Sequence, residues 1–79
     1  MGAAQSIFDS ERQAEAAYTA MYDATPLQAK DFFEDACLYF ARAIEAARRA
    51  GMADEANRLE QRRNHVREVY DSQFRWVGR

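Results

Sequence analysis

Between Pro26 and Gly51 the chain runs without another proline or glycine, and the apolar side chains of that run cover half of a helical wheel. At about 100° per residue, Ala29, Phe32, Phe33, Ala36, Cys37, Tyr39, Phe40, Ala43, Ile44, Ala46 and Ala47 share one broad arc. A surface helix carries a narrower stripe. An arc this wide needs two neighbours, so this helix is expected at the centre of the fold, between two other helices or against a second copy of itself. Leu38 falls on the opposite face with Glu34, Glu45 and Arg49.

Two breaks divide the chain into three helical segments. At the first, Thr25 is a good N-cap, Pro26 suits the first helical position and Gln28 can close a capping box. At the second, Gly51 can take the left-handed conformation that ends a helix. Asp54 and Glu55 then place negative charge in the next first turn, where the helix dipole favours it. The pattern predicts antiparallel helices over about 6–24, 26–50 and 53–76, after a disordered leader at 1–5. Helix one turns Ile7, Ala14, Ala17, Tyr18, Met21 and Tyr22 to one side. Helix three carries a stripe of Ala56, Leu59, Val66, Tyr70, Phe74 and Val77, with Arg63 in its middle, and a second line of Arg58, Arg62, His65, Val69 and Trp76. No strand-like alternation occurs. The expected fold is a single all-α, three-helix domain spanning 1–79.

Composition sets the terms on which such a domain can be stable. Leu, Ile, Val and Phe number only thirteen among 79 residues, a scarcity that in a highly charged chain signals disorder. The net charge is only −2, and sixteen alanines stand beside ten aromatics. Ala lets helices approach closely, and each aromatic can bury roughly 150–250 Å². A chain of this size still has a thin core and benefits from a disulfide, a metal or association. Cys37 is the single cysteine, so no disulfide can form within the chain; it reads as a buried structural thiol. The lone thiol, and the lack of a signal peptide or of an apolar run near the roughly 18 residues of a membrane span, predict a cytoplasmic protein. Ten arginines against one lysine suit a bacterial source.

No residue constellation predicts catalysis, a metal or a cofactor. His65 is the only histidine and lacks a second ligand at helical spacing on a shared face. Glu34 and Asp35 point in diverging directions from their helix. The chain is therefore expected not to be an enzyme. Met1-Gly2-Ala3-Ala4-Gln5-Ser6 matches the N-myristoylation pattern at Gly2, but no basic patch follows to support an acyl anchor, and the match reads as fortuitous. Arg63 stands out, because a charge on an apolar face needs a partner. Either its stem snorkels along the apolar face or it pairs with a carboxylate on helix one or two, or it anchors a carboxylate or phosphate of a binding partner. Arg58, Arg62, Arg63 and Arg67 raise nucleic-acid binding as a rival, but Asp54/Arg58, Glu60/Arg63 and Arg67/Asp71 are spaced for ordinary intrahelical ion pairs.

The stretch Glu34-Asp35-Ala36-Cys37-Leu38-Tyr39-Phe40-Ala41-Arg42-Ala43-Ile44-Glu45 resembles the second helix of a tetratricopeptide repeat, with Ala36, Phe40, Ala43 and Ile44 at its small, aromatic, small and aliphatic places. Residues 53–70 are then similar to the first helix of a following repeat, with Val66 and Tyr70 in register. Arg63 and Arg67 stand where a large aromatic and a small residue are usual. No closing proline and no 34-residue period is present. The resemblance implies protein–protein binding. The expected function is thus a non-catalytic helical interaction module. Its rivals are an obligate homodimer built on helix two and a nucleic-acid-associated regulator using the arginines of helix three. Trp, Tyr and Arg are enriched at binding hot spots, which nominates Phe32, Tyr39, Arg62, Arg63, Val69 and Trp76 as partner contacts.

Overall fold

A computed structural model describes residues 2–74. It shows an all-α, three-helix domain: α1 spans Ala3–Met21, α2 spans Pro26–Arg49 and α3 spans Ala53–Val69. Tyr70–Phe74 continue α3 as a π-helical turn. α2 is the central element, with α1 and α3 both packed on it. Its wide apolar arc is thereby covered in part within one chain, with Phe32, Phe33, Cys37, Tyr39 and Ala46 left half-buried.

Both breaks form as their residues dictate. At the start of α2, the Gln28 amide donates to Thr25 Oγ1 at 3.3 Å, and the Thr25 amide donates to Gln28 Oε1 at 3.3 Å. Pro26 occupies the first turn, where its missing N–H costs nothing. At the end of α2, Gly51 adopts φ 72°. The Met52 amide reaches back to the Ala47 carbonyl at 2.8 Å and the Gly51 amide to the Arg48 carbonyl at 3.0 Å. This Schellman pair satisfies carbonyls that the helix end would leave open.

α1 is displaced from its expected bounds at both ends. It begins at Ala3, inside the segment expected to be disordered, because Ala4, Gln5 and Ser6 extend the helix outward from buried Ile7. It ends at Met21 rather than Ala24. The amides of Tyr22, Asp23 and Ala24 bond three residues back, to Thr19, Ala20 and Met21. That tightened turn releases the chain into the extended backbone of Thr25 required before Pro26.

The core is built from small residues around a few large ones. Ala14, Ala36, Ala43 and Ala47 are fully buried, and so are Phe40, Met21, Leu59 and Val66. Burying a side chain such as Phe40 or Leu59 contributes roughly 1.5–3 kcal/mol. Alanine on facing helices lets the backbones close in around these few bulky groups. Cys37 is half-buried, not buried as expected, because it sits at the edge of the α2 arc. Leu38 is 48% exposed on the far side of α2, as its wheel position required. The whole is long and thin, 43 × 20 × 13 Å, so broad helix faces remain open to solvent.

Candidate functional site

α1 and α3 run parallel, and side chains 47 residues apart meet across them. Arg58 grips Glu11 with two hydrogen bonds, Nη1 to Oε2 and Nη2 to Oε1, both 2.8 Å. Its Nε donates to Glu55 Oε1 at 2.6 Å. One turn further, Arg62 grips Glu15 through Nε at 2.6 Å and Nη2 at 2.8 Å. The same guanidinium lies over the Tyr18 ring, 5.1 Å from its centroid. These planar forks fix two helices in register, which is the geometry Arg supplies and Lys does not. Water reaches both ends of the Arg62 fork, so it is worth no more than about 1 kcal/mol. The hydrogen bond from Arg58 holds the Glu55 carboxyl below its ordinary range. Glu11 and Glu55 raise Arg58, and Glu15 raises Arg62, so both guanidiniums stay charged.

Above the forks the two helices continue in rings. Tyr18 meets Tyr22 edge-on at 5.6 Å and His65 at 6.4 Å, and the hydroxyls of Tyr18 and Tyr22 share a hydrogen bond of 3.0 Å. Burial, then the bond to Tyr22, raises the Tyr18 phenol above its ordinary value. Tyr70 stacks on Phe33 of α2 at 4.1 Å, and Phe74 meets Tyr22 edge-on at 5.1 Å. The π-helical turn under-rotates relative to an α-turn. Phe74 meets Tyr22 and also stacks on Tyr70 at 6.5 Å.

On the other side of α1 lies a shallow groove shared with α2. Gln13, Ala16, Ala17 and Ala20 form its α1 wall; Phe32, Asp35 and Tyr39 form its α2 wall. Phe32 and Tyr39 are half-buried, so each packs against the core and keeps an exposed edge. Arg42 lies over the Tyr39 ring at 5.3 Å. Small residues on the floor allow a third backbone to come close, and two aromatic walls give it apolar surface to cover.

The five expected contact residues that are described do not form one surface. Phe32 and Tyr39 come together in the groove. Arg62 faces α1 and spends its donors on Glu15, so it holds the fold together. Arg63 is half-buried, and its Nε is buried with no hydrogen-bond partner among the described residues. The expected Arg63–Glu60 pair is absent because Glu60 pairs with Arg48 of α2. Likewise Arg58 pairs with Glu55 and Glu11, not with Asp54. Val69 is half-buried at the end of α3, where its carbonyl accepts from Ser72 Oγ at 3.3 Å. Trp76 lies outside the described residues.

Sequence reasoning missed Glu11 and Glu15 as partners of Arg58 and Arg62. The signal was present as two carboxylates and two guanidiniums at the same four-residue spacing. Pairing them requires knowing that the first and third helices lie side by side. Among the described residues no group of three or more His, Cys, Asp or Glu side chains could hold a metal ion. No helix among them is long and apolar enough to cross a membrane. Comparison with family models, with curated proteins and with solved structures gives no match.

Proposed function

We propose that this chain is a non-catalytic interaction module that holds a helix of another protein in the α1/α2 groove. The observation that carries this reading is the pairing of an alanine floor, Ala16, Ala17 and Ala20, with the half-buried walls Phe32 and Tyr39. An amphipathic helix laid in such a groove buries its apolar stripe against rings and methyls. Asp35 at the rim selects a partner helix with a lysine or arginine beside its apolar stripe.

The tetratricopeptide-like arrangement is part of the same proposal. Ala36, Phe40, Ala43 and Ile44 are all buried, as structural repeat positions would be. The α1–α3 offset of 47 residues is longer than the 34 of that repeat, so the relationship would be to a lengthened hairpin. Arg58 and Arg62 are occupied by carboxylates, which leaves the nucleic-acid rival without its two best-placed cations. Cytoplasmic location remains part of the proposal.

The test is affinity capture from the native cell with wild-type protein and with a Phe32→Ser/Tyr39→Ser variant whose helicity is checked by circular dichroism. A partner lost by the folded variant supports the groove. An unchanged set of captured proteins overturns it.

A further inference from the structure

The outer face of α2 carries an acid and a base placed symmetrically about an exposed leucine, Glu34 four residues before Leu38 and Arg42 four after it. Leu38 stands near the middle of the helix and is 48% exposed. One turn before it are Glu34 and Asp35; one turn after it are Ala41 and Arg42, all four exposed. Further out, Asp31 lies seven residues before Leu38 and Glu45 seven after it, Glu45 being held by Arg49 of its own helix. The N-terminal half of α2 carries Lys30 against Asp31, Glu34 and Asp35, and the C-terminal half carries Arg42, Arg48 and Arg49 against Glu45. Arg48 and Arg49 are spent on Glu60 and Glu45 of the same chain, so Arg42 is the cation this face offers a partner. Asp31, Glu34 and Asp35 make no ion pair among the described residues, and Arg42 has only the Tyr39 ring.

We propose that this face binds a second copy of the chain, α2 against α2, about a two-fold axis through Leu38. Helices pack most often by interdigitating ridges of residues four apart. The ridge Glu34–Leu38–Arg42, reversed about Leu38, sets Leu38 on its own copy. It also sets Glu34 of each chain beside Arg42 of the other. A two-fold contact uses each pair twice, so one favourable match counts double. The apolar centre is a single leucine flanked by Ala41, so the interface is small and its specificity is electrostatic. The dimer is therefore weak, salt-sensitive and concentration-dependent. Its interface borders the α1/α2 groove along the Asp35 rim, and Arg42 also lies over the groove residue Tyr39.

The experiment is sedimentation or light scattering of the full chain from micromolar to millimolar concentration, in low and high salt. Dimer is expected at the upper end in low salt and should weaken as salt screens the pairs. Glu34→Arg or Arg42→Glu alone should weaken it about tenfold or more, and the double exchange E34R/R42E should restore it. Leu38→Gln should weaken it while leaving the helicity of the monomer unchanged. A monomer at every concentration in low salt overturns the proposal. So does a dimer that ignores the charge exchange but is lost in Phe32→Ser, since that dimer would use the groove.

Discussion

Arg63 and Tyr18 show what a single side chain does in a core this thin. Arg63 sits in the middle of the apolar stripe of α3, and its Nε is buried without a partner among the described residues. An unsatisfied buried donor costs about 1–3 kcal/mol. Arg63→Met keeps the stem and removes that donor, so it should raise stability in urea by about 1 kcal/mol. A fall in stability would mean that the guanidinium is held by the fold. Tyr18 works through pH. Its phenol is raised above 10.0, chiefly by burial, so the folded state favours the protonated form. That stability is complete below pH 10 and is lost as pH rises through the folded value. Urea midpoints should drop as pH rises above 10, and Tyr18→Phe should flatten the drop. An equal slope in the variant would remove Tyr18 from the account. The position of Arg63 was legible in the sequence, because its place on the wheel needed only the helical period. Its lack of a partner was not, because Glu60 is three residues away yet pairs across to Arg48.

Among the elements, the boundaries with a side-chain or glycine mechanism were the ones the sequence could place. Thr25, Pro26 and Gln28 set the start of α2, and Gly51 sets its end. Gly51 is left-handed at φ 72°, and nothing lies within 4 Å of where a Cβ would stand. Gly51→Ala therefore meets only backbone strain and should cost about 1–2 kcal/mol, read as a lowered urea midpoint. No loss would mean that the turn re-forms in another way. The end of α1 had no such marker, because it is set by the extended Thr25 of the following cap. The π-helical turn at Tyr70–Phe74 was equally hidden. Tyr70 and Phe74 fit an α-helical stripe, and Phe74 meets the ring of Tyr22 on another helix as well as that of Tyr70.

At the scale of the whole molecule, one arc decided the architecture. The breadth of apolar surface on α2 required two neighbours, and α1 and α3 provide both. The same breadth hid the site. Phe32 and Tyr39 lie on the arc with the core residues, and only the placement of Ala16, Ala17 and Ala20 beside them turns two aromatics into the walls of a groove. The α1–α3 side was illegible for a related reason, since its forks join residues 47 apart. The groove is one of the faces left open on this thin body, and the account stands on its being filled by another protein. The most direct measurement is photo-crosslinking in the native cell from a benzophenone side chain at Ala16, with Asn57 on exposed α3 as the control position. The account predicts a discrete adduct with one protein from position 16, absent from position 57 and lost when Phe32 and Tyr39 are both serine. No adduct from position 16, or the same adducts from both positions, would contradict it.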